Sequence, residues 1–218
     1  MEKRHKILVT RELTDEQLKL ADDLGLKVTI EPAISFEFRK KWSSIVNSIE
    51  DAAAPIFAFT SQNGVNALQK LLEQGYTLPG NVVFYAVGEK TAYALKDLGY
   101  TAIVPELSYG EQLGEKIAAD LNQFGLKDAT VFHFCGNRRR EEMRHTLEKS
   151  GIDVKDLVVY ETIINPMHIN GIDAEGVLFY SPSAVEAFRK SGGFRRDKLP
   201  ELFAIGHTTA QELSIESG

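Results

Sequence analysis

A chain of 218 residues that is 43% hydrophobic and 26% charged can bury one large core or two small ones. Its formal charge of −6 excludes a general nucleic-acid binder, which would carry a basic surface. The single cysteine, Cys135, excludes an intramolecular disulfide and fits a reducing compartment.

Met1 to Lys6 is polar and basic, and the apolar run Ile7 to Thr10 is too short for a signal peptide or a membrane span. A cytoplasmic protein without a membrane partner is expected. Lys6 to Thr10 reads as a strand, Thr14 to Leu24 as a helix capped by Thr14, and Lys27 to Glu31 as a second strand broken by Pro32. Phe38, Trp42, Ile45, Val46 and Ile49 recur at helical spacing and predict a helix over Phe36 to Ile49. Ile56 to Phe59 is an apolar run without alternation, as in a parallel strand buried on both faces. Thr60, Ser61 and Asn63 then supply oxygens to cap a helix that carries Val65, Leu68, Leu71 and Leu72. Val82 to Val87 reads as a strand, Lys90 to Leu98 as a helix ended by Gly99, and Thr101 to Val104 as a short strand. Tyr109 to Phe124 is helical, Thr130 to Cys135 a strand, Arg139 to Lys149 a helix, and Val154 to Thr162 a long strand stopped by Pro166.

The unit beginning at Ile56 returns at Val177 to Phe188, where Tyr180, Ser181 and Ser183 occupy the places of Thr60, Ser61 and Asn63. A second pair follows in the same order, Phe84 to Leu95 against Leu202 to Leu213, with Gly88 matching Gly206 and Thr91 matching Thr209. Ordered repetition of strand, turn and helix implies an internal duplication. The expected architecture is two similar flavodoxin-like α/β lobes with parallel sheets. The first comprises residues 1–34 and 165–218, and the second, 35–164, has about five strands and is inserted into the first. Segments 31–38 and 160–168 pair as a two-strand linker, able to hinge a cleft open and closed. At Gly218 the first lobe is short of the last strand and helix that the duplication predicts.

Neither a dinucleotide fingerprint nor a Walker pattern is present, so no nucleotide cofactor is expected. His133 and Cys135 share a strand face but make only two ligands, so no metal is expected either. What remains is a set of turns at helix starts: Ser61 to Gly64, Gly88 to Thr91, Gly136 to Arg138, Ser181 to Ser183, and Gly206 to Thr209. Each alone is a helix cap, but together their free amides would hold a polyanion. Arg138, Arg139 and Arg140 fall at a predicted helix start, where the dipole disfavours cations, so they are either a solvated run or an anion clamp. Tyr160 lies on the long strand, where a tyrosine is ordinarily packing.

The series ILVTR, FTSQNGV, YAVGEKTA, GNRRRE, GIDVKDLVVYET, FYSPSAV and AIGHTTA resembles, in order and over nearly the whole chain, the uroporphyrinogen-III synthase family. His207 departs from the family, whose members commonly have proline there. The resemblance implies two α/β lobes, a two-strand linker, no cofactor, and cyclisation of hydroxymethylbilane to uroporphyrinogen III with inversion of ring D and loss of water. It implies Tyr160 as the aid to hydroxyl departure, with Ser61, Asn63, Gly88, Thr91, Ser181, Ser183, Thr208 and Thr209 lining the cleft. Arg138 is the added candidate for a substrate carboxylate. A monomer is expected, supplied with its linear tetrapyrrole by the preceding pathway enzyme. The competing class is a non-enzymatic two-lobe clamp, a sensor or carrier, for a small polyanion.

Overall fold

The computed structural model describes residues 4–216 except 127, 170, 172, 196 and 197. It divides into two compact units, one made of the residues up to Phe36 with those from Ile163 onward, the other of Glu37–Thr162. Gly218 lies outside the described residues.

In chain order the first unit opens with β1 (His5–Val9), α1 (Asp15–Asp23) and β2 (Leu26–Ile30). Thr14 caps α1 in a capping box, its hydroxyl accepting from Gln17 N at 3.3 Å while the Gln17 side chain accepts from Thr14 N at 3.1 Å. The chain then runs through β3 (Ile34–Phe38), α2 (Ser43–Glu50), β4 (Ala54–Phe59), α3 (Gln62–Glu73), β5 (Val83–Ala86), α4 (Glu89–Asp97), β6 (Ala102–Ile103), α5 (Gly110–Phe124), β7 (Ala129–Gly136), α6 (Glu142–Lys149) and β8 (Asp153–Ile164). It returns to the first unit with β9 (Gly176–Phe179), α7 (Pro182–Lys190), a 3-10 turn at Gly193–Arg195, β10 (Glu201–Ala204) and α8 (His207–Glu216).

The second unit's sheet runs β3-β8-β7-β4-β5-β6, and the five strands β4 to β8 pair in parallel. Counted by appearance, those five read 3-2-1-4-5, the doubly wound order whose reversal falls between β4 and β7. The flavodoxin order would read 2-1-3-4-5; the three-layer parallel α/β class stands. The first unit's sheet, β10-β9-β1-β2, repeats the order β5-β4-β7-β8, with no equivalent of β6 among the described residues. The expected duplication is therefore visible in strand order as well as in sequence.

Each sheet is buried as its sequence predicts. Phe57, Phe59, Phe132 and Phe134 project from β4 and β7 into a core with α2, α3 and α4, while Ile56, Ala58 and Val131 meet α5 and α6 on the opposite face. Gly64 lets α3 lie close on β7, because a Cβ there would stand 2.5 Å from the Phe134 carbonyl oxygen. In the first unit Leu8, Val177 and Phe179 pack against Val185 and Phe188 of α7.

Several expectations are corrected. Residues 34–38 form β3, and the helix begins only at Ser43, so Phe38 is a strand residue. Hydrogen bonds from Asn165 N to Ala33 O and from Arg39 N to Val159 O, both 2.9 Å, pair β3 antiparallel with β8 and claim its backbone. The larger sheet accordingly has six strands, the five expected and the linker strand β3. Helix α6 begins at Glu142, so Gly136 to Arg140 form a strand-to-helix turn and not a helix start. Asn137 delays that helix by tying the turn to β8: its N–H donates to Tyr160 O, and its Oδ1 accepts from Thr162 N at 2.9 Å.

Candidate active site

Open parallel sheets place ligands beyond the carboxyl ends of their strands, where strand order reverses. Thr60 and Ser61 follow β4 on one side of that reversal, and Gly136 to Arg140 end β7 and follow it on the other. Between them lies a cavity of about 460 Å³, lined by Thr60, Ser61, Gly136 and Arg138 to Arg140 together with Val87, the starts of α5 and α6, and Tyr160 of β8. A second opening of about 570 Å³ runs along β3 and β8, and Tyr160 borders both.

Tyr160 fits beside β7 because residue 136 is glycine: a Cβ there would lie 2.5 Å from its ring. The pairing of β7 with β8 shifts register between Cys135 and Gly136, bringing Gly136 opposite Tyr160. Burial pushes the Tyr160 phenol above its ordinary pKa, and a hydrogen bond with the Ser61 side chain draws it part of the way back. Ser61 also caps α3, accepting from Asn63 N at 3.2 Å. Thr60, expected as a cap, instead turns its hydroxyl inward, 2.9 Å from His133 Nε2.

Beneath Thr60 lies a polar chain that the sequence did not reveal. His133, 1% exposed, meets Asp156 Oδ1 through Nδ1 at 2.9 Å. Asp156 Oδ2 accepts from Arg144 Nη1 of α6 at 2.6 Å. Arg139 Nε stands 3.1 Å from the same oxygen, an ion pair in which the N–H lacks hydrogen-bond alignment. Burial pushes the Asp156 carboxyl up, but the bonds from His133 and Arg144 outweigh it and hold the pKa at about 2. The only sequence signal was a histidine inside the otherwise apolar run Val131 to Cys135; its meeting with Asp156 depends on the register that sets the two opposite each other. Cys135 completes a potential metal trio with these two, all ligand atoms lying within 4.8 Å. That donor set does not fit a metal: both ring nitrogens and both carboxylate oxygens are engaged, and burial pushes the thiol up to about 12.

Of the residues singled out in sequence, the cavity gathers Tyr160, Ser61 and Arg138, with Thr60, Gly136, Arg139 and Arg140. Asn63, Gly88 and Thr91 belong to the same unit but not to that lining. Gly88 caps α4 through its carbonyl, accepting from Thr91 N and Ala92 N, and Thr91 is 5% exposed. In the other unit Ser181 caps α7, accepting from Ala184 N at 3.2 Å, with Ser183 in the first turn. Thr208 is exposed on α8, and Thr209 is 3% exposed, as deep as its counterpart Thr91.

Fold and site together define a duplicated, doubly wound α/β protein with a cavity at a strand-order reversal, lined by three arginines and two glutamates. The sequence model described as uroporphyrinogen-III synthase HemD matches residues 15–217. The chain belongs to the uroporphyrinogen-III synthase family. Solved structures similar to it include a mutant uroporphyrinogen III synthase from the extremely thermophilic bacterium Thermus thermophilus, 18% identical, with 98% of this chain and 89% of that chain covered and a TM-score of 0.65. Another is uroporphyrinogen-III synthetase from Helicobacter pylori, 21% identical, with 99% and 90% covered and a TM-score of 0.63. Among the described residues no helix is long and apolar enough to cross a membrane.

Proposed function

We propose that the chain closes hydroxymethylbilane to uroporphyrinogen III with inversion of ring D, acting as a cyclising hydro-lyase, and that Tyr160 is its proton donor. The hydroxymethyl C–O bond of ring A breaks, the leaving oxygen takes the phenol proton, and water departs from an azafulvene. The substituted carbon of ring D attacks that centre, and the resulting spiro intermediate fragments and recloses inverted. The proton released on closure restores the phenol. The phenol is protonated at neutral pH, as a general acid requires, and the Ser61 bond offsets part of the burial that weakens it as an acid.

Substrate carboxylates are taken by Arg138, by Ser61 and Asn63 at the α3 turn, and by Gly88 and Thr91 at the α4 turn. Ser181, Ser183, Thr208 and Thr209 serve the same role in the other unit. Each helix-start contact is worth about 0.3–1 kcal/mol per charge when exposed, so positioning comes from their number. The observation carrying this reading is the Tyr160 phenol, bonded to Ser61 and bordering a cavity rimmed by arginines. Incubation with hydroxymethylbilane followed by isomer analysis tests it. Rapid formation of the type III isomer is expected; type I alone, at the uncatalysed rate, would leave the non-enzymatic clamp.

A further inference from the structure

The chain beneath Thr60 fixes the direction of its protons. Asp156 faces three nitrogens, His133 Nδ1 at 2.9 Å, Arg144 Nη1 donating at 2.6 Å, and Arg139 Nε, ion-paired at 3.1 Å without hydrogen-bond alignment. A carboxylate so surrounded is ionised and can only accept, so His133 Nδ1 carries a hydrogen. A second hydrogen on Nε2 would make a buried cation of a side chain 1% exposed, beside a carboxylate that Arg144 and Arg139 already face while they also pair with Glu148 and Glu141. The ring is therefore the neutral Nδ1–H tautomer, Nε2 is a bare acceptor, and the Thr60 hydroxyl 2.9 Å away is the donor. With its one hydrogen committed inward, Thr60 has only lone pairs to offer the cavity.

The neighbouring arginine turn has the opposite polarity, since a guanidinium only donates. We infer that Thr60 is an acceptor reserved for an N–H group of the substrate, a pyrrole N–H in a tetrapyrrole, with His133 and Asp156 as the positioning residues that make it so. The inference rests on assigning this cavity to the tetrapyrrole. A carboxylate meeting that lone pair is repelled while one meeting Arg138 is held, so the two sides sort the pyrrole edge from the acidic arms and set how the substrate lies. Asp156 governs both sides, through His133 to Thr60 and directly to Arg139.

The test pairs a spectrum with kinetics on the full chain. Long-range proton–nitrogen correlation of the 15N-labelled protein, with His133 assigned through His133→Gln, should show one protonated and one bare ring nitrogen, the bare one being Nε2. Two protonated nitrogens, or a bare Nδ1, overturn the inference. Thr60→Val keeps the shape and removes the oxygen; it should raise KM for hydroxymethylbilane at least tenfold with kcat within about threefold, and Thr60→Ser should restore both. An unchanged KM in the valine variant, or a serine variant no better than valine, also overturns it. If the unaltered protein fails to turn over hydroxymethylbilane, the functional reading falls, while the ring spectrum still decides the tautomer.

Discussion

Ser61 and Ser181 do the same structural work in the two units, each capping a helix through its side chain. Loss of either cap should cost about 1 kcal/mol, read as a shift in the urea midpoint. Ser61 has a further partner in its own unit, sharing a hydrogen bond with Tyr160. Removing that bond lets the phenol pKa rise further, so Ser61→Ala should carry the alkaline limb of the rate profile to higher pH. Ser181→Ala should leave the limb where it is; equal profiles would detach Ser61 from the chemistry. Tyr160→Phe removes the proton itself. Roughly a hundredfold to ten-thousandfold in rate should be lost, with folding intact and the type I isomer accumulating as catalysis slows. An unchanged rate and isomer ratio would return Tyr160 to packing against Phe38, whose ring centroid is 6.2 Å away. Reading the sequence could nominate Ser61 and Tyr160 separately, from a cap position and a family motif, but their bond depends on a register shift at Gly136 that no spacing encodes.

At the scale of elements, legibility followed how strongly one period dominates. Ile56 to Phe59 and the helix after it were readable because an unbroken apolar run gives way to a 3.6-residue stripe. Segment 31–38 pairs with 160–168 as expected, but the helix expected from Phe36 begins only at Ser43: Phe38 falls in phase with Trp42, Ile45 and Ile49 by coincidence, while pairing with β8 decides its conformation. The arginine turn was misplaced for a similar reason, since Asn137 spends its backbone and side chain on β8 and postpones α6. Gly64 shows the converse, a residue that looks like a helix weakness and is a packing requirement. Gly64→Ala would drive a methyl to 2.5 Å from a backbone oxygen of β7, so α3 must lift from the sheet. A loss of about 1–3 kcal/mol or more is expected from denaturant unfolding. A variant as stable as the parent would mean that the two elements separate without cost.

For the molecule as a whole, the repeated strand order explains why two lobes could be read from sequence at all: the repeat preserved topology along with turn chemistry. Which polar groups would meet across strands was beyond reach, and the second unit's acid sensitivity belongs to that hidden part. Asp156 drops from 3.8 to about 2 on folding. A carboxyl lowered on folding contributes stability above its unfolded pKa and loses it as pH falls through the folded value. At most about 2 kcal/mol should therefore disappear between roughly pH 4 and pH 2. Hydrogen exchange should locate that loss in β7, β8 and α6, and Asp156→Asn should flatten this part of the acid profile.

The first unit's sheet also has a history in time. Strand β1 pairs with β2 and with β9, yet β9 follows only after the whole second unit. On a ribosome adding about 5–20 residues per second, the roughly 150 residues between β2 and β9 occupy about 7 to 30 seconds. The second unit, a continuous stretch, can fold during that interval, while β1 waits with an open apolar edge at residues 7–9. The newborn chain is thus most exposed to aggregation until β9 is made, and the strand it must shelter is β1, which is synthesised long before that partner.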